Sequence, residues 1–165
     1  MRRIAIVVTT LLALVALALG ASPAGAQSGH FITSGRNAPS CVDIGTQVQC
    51  SGKVAGLGGT TFEITVTASG IASVECENPG GPPGNRAPGQ DTAVDVAGSS
   101  GLLPTPRNGQ HTFTDIMTAA PTVPNFPTCP NPQWIAHVVD VSFGPATLTL
   151  FEDGVEVDSV TVPVL

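Results

Sequence analysis

The chain has no tyrosine, one tryptophan, and only 6 lysines and arginines against 12 acidic residues in 165 positions. Charged residues make up 11% of it, about half the share usual for a globular domain. So few charges exclude a coiled coil or a salt-bridge-laced helical bundle. So few basic side chains exclude a phosphate-neutralising surface, and a nucleic-acid partner with it. After the N-terminus no apolar run is long enough to span a bilayer, because the strongest ones alternate with Thr, Asp and Glu. Signature motifs are missing as well. No pair of cysteines has the C-x2-C spacing of a zinc site, and the three histidines are scattered. There is no G-x-S-x-G turn, no glycine loop followed by lysine and a helix, and no D-x-D-x-D-G calcium loop. No catalytic, cofactor-binding or metal-ligating set is therefore expected.

What is present begins with an export signal. Arg2 and Arg3 precede an apolar run from Ile4 to Leu19, and Ala24-Gly25-Ala26 supplies a small-residue cleavage pattern before Gln27. The apolar run is shorter than the ~20 residues that cross a bilayer. Residues 1–26 thus read as a signal peptide, 27–40 as a flexible polar lead-in, and 41–165 as one domain. Removing the signal takes away two of the 6 basic residues and no acidic one, leaving 4 against 12 and a net charge of −8 rather than −6. The expected product is a secreted, extracellular monomer with no membrane span and no cofactor.

Export gives the cysteines their meaning. Cys41, Cys50, Cys76 and Cys129 all follow the signal, and an oxidising compartment favours two disulfides over free thiols. Four cysteines allow three connectivities. Gly45-Thr46 can form a two-residue turn with glycine first, as a type II′ turn requires. Pairing outward from it sets Val42 opposite Gln49 and Cys41 opposite Cys50, within disulfide reach. Cys41–Cys50 with Cys76–Cys129 is the favoured pairing. By loop entropy the two bridges would contribute roughly 2.7 and 4.2 kcal/mol.

Alternation of period two dominates the rest. Val48, Cys50, Gly52 and Val54 alternate with polar neighbours, and so do Phe62, Ile64, Val66 and Ala68. Ala72, Val74 and Cys76 follow in the same style. Joining these last two runs as a hairpin needs a three-residue loop at 69–71; otherwise there is a bulge, or the runs lie in different sheets. Weaker strands are expected at 92–97 and 111–117. Pro121, Pro124, Pro127 and Pro130 recur at every third position, which reads as an extended strap tied down at Cys129. From Gln133 to Phe143 the chain is apolar on both sides, as a central strand would be. Asp153-Gly154 signals a type I′ hairpin, and the apolar phase flips beyond Asp158, which implies a bulge or a crossing to another sheet. Eight to nine strands and no helix suit an immunoglobulin-like antiparallel β-sandwich.

Four features could carry chemistry. If Gly144-Pro145 is a turn, His137 falls opposite Glu152 as a cross-strand pair. Glu75 and Glu77 share one strand face, and Glu152, Asp153, Glu156 and Asp158 form an acidic hairpin, which reads as a solvated surface. Trp134 reads as core packing near Cys129. Phe151 lies on the face of Thr147 and Thr149.

The segments Cys50-Ser51-Gly52-Lys53-Val54-Ala55-Gly56-Leu57-Gly58, Cys76-Glu77-Asn78-Pro79-Gly80-Gly81 and Cys129-Pro130-Asn131-Pro132-Gln133-Trp134 resemble small exported proteins of high-GC Gram-positive bacteria that have no assigned function. The resemblance implies export and a disulfide-linked domain. More loosely the chain is similar to the apoproteins of enediyne chromoproteins, which are acidic, secreted, two-disulfide immunoglobulin-like sandwiches. The Cys41/Cys50 hairpin echoes one of theirs, whereas their second bridge is short-range. The function these readings imply is a noncatalytic binding or surface-associated module. The alternatives are a small-molecule carrier with a cleft between its sheets and a small secreted hydrolase.

Overall fold

A computed structural model describes residues 29–165. The expected signal peptide lies outside the described residues. Among these, ten strands and one short 3-10 helix, Gly35–Asn37, make up the regular structure, and no helix is long and apolar enough to cross a membrane.

Two antiparallel sheets form the domain. In the first, β3 (Val48–Ala55) is central, with β8 (Gln110–Met117) on one edge. Its other edge is shared by β1 (His30–Phe31) and β2 (Ser40–Asp43). In the second, β10 (Val155–Val162), β9 (Ile135–Glu152) and β4 (Thr61–Glu77) lie side by side. The far edge of β4 takes β7 (Leu103–Pro104), β6 (Thr92–Ser99) and β5 (Arg86–Pro88) in turn. The result is a sandwich of two antiparallel sheets in which β6 sits beside β4.

The core follows from the phase of the alternation. On β4 every inward slot is even-numbered, from Phe62, Ile64, Val66 and Ala68 through to Ala72, Val74 and Cys76, all of them buried. No hairpin interrupts 69–71: of the readings left open there the loop is excluded, the two runs form one strand, and the bulge lies on the partner strand β9. Gly70 occupies the inward slot between the two runs, and a Cβ on it would meet Val141 Cγ1 at 2.7 Å and the Ser142 carbonyl at 2.8 Å. Strand β9 keeps pace with β4 by bulging. The register shifts between Ala68 and Gly70, where Gly144-Pro145 faces Ser69, and again between Ser73 and Val74, where Val139 is extra. Gly144-Pro145 is therefore a bulge and not a turn. A proline is tolerated at a bulge because the ladder there does not need its N–H.

These bulges divide the interior. Half of the β4–β9 ladder packs on the first sheet, in a core built from Phe31, Val54, Phe62, Ile64, Leu148, Leu150 and their neighbours. The other half forms a smaller cluster of Ala72, Val74 and Val141, covered by Val123 of the strap. Phe31 belongs to the stretch read as a flexible lead-in, yet it is 3% exposed and its strand is hydrogen-bonded to β3. Burial of Phe31 and the pairing of β1 with β3 hold the described part of that stretch against the sandwich.

The sulfurs pair Cys41 with Cys50 and Cys76 with Cys129. Cys41 sits directly opposite Cys50 in the ladder, and Gly45, with φ +95°, turns the chain between them. The second bridge anchors the strap to β4. Nearby, the Gln90 N–H donates to the Thr128 carbonyl, and the Ala136 N–H donates to Asn125 Oδ1. Trp134 is only half-buried and belongs to neither apolar cluster, which corrects its expected place in the core. The strap occupies that place instead.

Two predictions follow from this packing. Gly98 on β6 passes so close to the end of β8 that a Cβ would lie 2.0 Å from the Met117 carbonyl oxygen and 2.8 Å from Thr118 Cα. Backbone cannot give way as a side chain does, so Gly98→Ala should lower stability by about 3 kcal/mol, the upper range for overpacking. A urea midpoint equal to wild type would refute this crossing. Opening the Cys76–Cys129 bridge by a Cys129→Ser, Cys76→Ser double change should lower stability by roughly 4 kcal/mol through loop entropy. Proteolysis should then begin in 119–134, and cleavage elsewhere first would contradict the strap's dependence on the bridge.

Candidate functional site

The residues with chemical potential fall into three groups, placed by the two phases of the β4–β9 ladder.

The first lies where β4, β5 and the start of β9 meet. Glu75 is in register with His137, and Arg86 of β5 with Glu77. His137 Nε2 is 2.9 Å from Glu77 Oε2, while Arg86 approaches Glu75 at 3.5 Å and Glu77 at 3.7 Å. The side chains are 28–45% exposed, so the network is a surface one, worth a fraction of a kcal/mol per pair. The expected His137–Glu152 pair does not form. Those residues stand at opposite ends of β9, separated by roughly 45 Å of extended strand. The pairing depended on a turn at Gly144-Pro145, and the bulge there keeps both halves of the strand on β4. Asp140 pairs with Ser73 and faces solvent. Glu75, His137 and Asp140 thus share one end of the sheet and Glu152 does not.

The second group is the acidic hairpin between β9 and β10. Asp153 and Glu156 are exposed, as expected of a solvated surface, but Glu152 is buried and Asp158 half-buried. Glu152 keeps the inward phase of Leu148 and Leu150 and is fully buried. Its carboxylate accepts the backbone N–H groups of Gly58 and Gly59 at 3.2–3.4 Å. A Cβ on Gly29 would fall 2.1 Å from Glu152 Oε1, so a glycine there leaves the carboxylate its room. Asp153 holds the turn at φ +48° and accepts from the Thr60 and Thr61 N–H groups and from both hydroxyls. Asp158 accepts the Phe31 N–H at 2.7 Å. Three carboxylates therefore bind main-chain donors and hold the hairpin against the loop at 56–61 and against β1. The sequence sign was present: Glu152 shares the phase of buried leucines, and an acid there must find donors.

The third group is the outer face of the second sheet. Cross-strand register sets Thr161, Thr147, Thr67 and Ala97 in one row and Ser159, Thr149, Thr65 and Ser99 in the next. Thr147 and Thr161 hydroxyls are 3.1 Å apart. Beyond the second row lie Glu156, Phe151 and Glu63, with the Phe151 ring half-buried. At the opposite end is a depression of about 310 Å³ lined by Thr67, Ser69, Asp95, Pro145 and Thr147. Two other grooves, of about 440 and 340 Å³, run along the strap beside β6 and beside His137. The depression lies on the outer face of the second sheet, the two grooves lie beside the strap, and side chains of the main core fill the space between the two sheets. No group of three or more His, Cys, Asp or Glu among the described residues is placed to hold a metal ion.

Asp153 yields a pH prediction. Hydrogen bonds from the Thr60 hydroxyl first, then from the Thr61 and Thr60 N–H groups, lower its carboxyl from 3.8 to about 2. A depressed pKa stabilises the fold fully above the ordinary value of 3.8, and that stabilisation is lost as pH falls through about 2. Asn also tolerates a positive φ, so Asp153→Asn removes the charge alone. The variant should melt below wild type at neutral pH, with the gap closing as pH approaches 2. Parallel melting curves across that range would exclude the role. The chain matches no family model, no curated protein and no solved structure, so its function is read from these residues alone.

Proposed function

We propose that the chain is an exported, noncatalytic β-sandwich that works outside the cell as a binding or surface-associated module. The observation that carries this reading is how the acidic side chains are used. Glu152, Asp153 and Asp158 accept main-chain hydrogen bonds that hold the hairpin, and Glu75 and Glu77 bracket Arg86 and His137 on an open surface. General acid–base work needs a carboxylate poised in a pocket beside a reacting atom, and these groups serve the fold instead. Two disulfides suit an oxidising exterior. A carrier would need an apolar cleft between the sheets, where Phe62, Ile64, Val66, Leu148 and Leu150 are fully packed.

The reading is tested by adding fluorescently labelled protein to washed producing cells. Saturable retention that excess unlabelled protein displaces is the expected result. Retention that never saturates would overturn it. So would turnover of a glycoside, ester or peptide substrate that Glu75→Gln abolishes.

A further inference from the structure

We propose that the outer face of the β10–β9–β4–β6 sheet docks a neutral glycan chain. This deepens the module reading and rests on it, since it names the ligand class and the face.

The chemistry of the face selects the ligand. Two in-register rows carry hydroxyls on adjacent strands: Thr161, Thr147 and Thr67, then Ser159, Thr149, Thr65 and Ser99. Strands are about 4.8 Å apart, and outward positions repeat about every 6.8 Å along each strand. Ser99 donates to Glu63 and Ser159 to the Leu148 carbonyl, and Thr147 and Thr161 bond each other, which leaves the Thr65, Thr67 and Thr149 hydroxyls and the acceptor lone pairs of the rest to match a ligand that donates and accepts at short intervals. A polyhydroxylated chain does so, whereas an apolar peptide does not.

Each end of the array adds a feature that a plain wet sheet lacks. At one end is the depression of about 310 Å³, walled by Pro145 on the β9 bulge and by Asp95 on β6. Bulges commonly re-aim side chains beside binding sites. Ser69 Oγ donates to Asp95 Oδ1 at 2.6 Å, which orients the carboxylate and leaves Oδ2 to accept from a ligand hydroxyl. At the other end Phe151 offers a half-buried ring to the apolar side of a sugar. From Ser69 to Glu63 the face runs roughly 20 Å along β4, enough for several sugar rings.

Charge decides between kinds of glycan. Asp95, Glu63 and Glu156 border the face, and none of the basic residues of the described chain belongs to it. Lys53 is on β3 in the other sheet, Arg86 pairs with Glu75 and Glu77, and Arg36 and Arg107 lie outside the strands of this sheet. A uronate or phosphate chain would meet three carboxylates with nothing to neutralise it. A neutral chain finds acceptors for its hydroxyls.

The experiment is native affinity electrophoresis through gels containing a soluble glucan, mannan, galactan or xylan, with polygalacturonate as the anionic comparison. Slowed migration in at least one neutral gel, unchanged by added sodium chloride, is the expected result. Asp95→Ala, Thr147→Ala and Phe151→Ala should each weaken retention about tenfold, the size of a single strong contact. Thr112→Ala and Thr114→Ala, on the outer face of the first sheet, should leave it unchanged. Variants are scored only where the melting temperature matches wild type, and Asp95→Ala, at an exposed position, provides the decisive one. The inference is overturned if no neutral gel retards the protein, if only polygalacturonate does, if salt abolishes retention, or if all three face variants bind as wild type. Cell binding that persists after any of those outcomes leaves the module reading standing and removes the glycan alone. Loss of saturable cell binding removes both.

Discussion

The ladder between β4 and β9 is the constraint on which everything else rests. It runs from Phe62 opposite Glu152 to Glu77 opposite Ile135, and every other strand of the second sheet hangs from one of its edges. Strand β10 folds back along the free side of β9, while β7, β6 and β5 share the far side of β4. Such a long pair would ordinarily present one face to one core. The two bulges on β9 each insert a residue and reverse which of its side chains point inward, the first near the boundary between the two clusters and the second within the strap-covered half. The first sheet covers one half, and the strap covers the other. A strap of prolines contributes few ladder hydrogen bonds, so a covalent tie from Cys129 to β4 holds it where pairing does not.

Sparse charge takes on a structural role in this setting. The chain carries little net attraction to spend on ion pairs, and its best-placed carboxylates accept main-chain N–H groups instead. Such charge-assisted bonds are stronger than neutral ones. They also satisfy the N–H groups of Gly58, Gly59 and Thr60 in the loop before β4, and of Thr61 at its start. Glu152 shows how the ladder dictates this. Its inward phase forces burial, burial forces it to find donors, and the glycine at 29 leaves room for the carboxylate that accepts from Gly58 and Gly59.

With those acids committed, the surface proposed for glycan docking is the second sheet's outer face, where the side-chain alternation points hydroxyls outward. Nothing in its composition is unusual for a wet strand. Its coherence comes from register. Thr65 and Thr67, Thr147 and Thr149, and Ser159 and Thr161 are distant in sequence and become rows only because three strands align without a slip over that stretch. The bulge that places Pro145 beside Asp95 also lies near the boundary between the two clusters, so the packing and the proposed glycan face depend on one local insertion.

Much of the fold was legible in the residues. Period-two alternation determined the all-β class. Gly45 between opposed cysteines determined the first disulfide pair, and Asp153-Gly154 determined the last turn, all three being local consequences of backbone sterics and side-chain parity. The unbroken even phase from Phe62 to Cys76 already described one strand, although the two runs also read as a hairpin with a loop at 69–71. Tertiary structure alone decided the partners. Alternation tells which face of a strand is buried but not what buries it, so a phase break at Gly144-Pro145 fits a turn or a bulge equally well. Choosing the turn placed His137 beside Glu152; the bulge sends them to opposite ends of β9. The same ignorance of partners assigned Trp134 to the core and left Glu152 to solvent. Parity is a property of one strand and is written in its sequence, whereas pairing is set by competition among all strands for the same edges, which only the folded chain resolves.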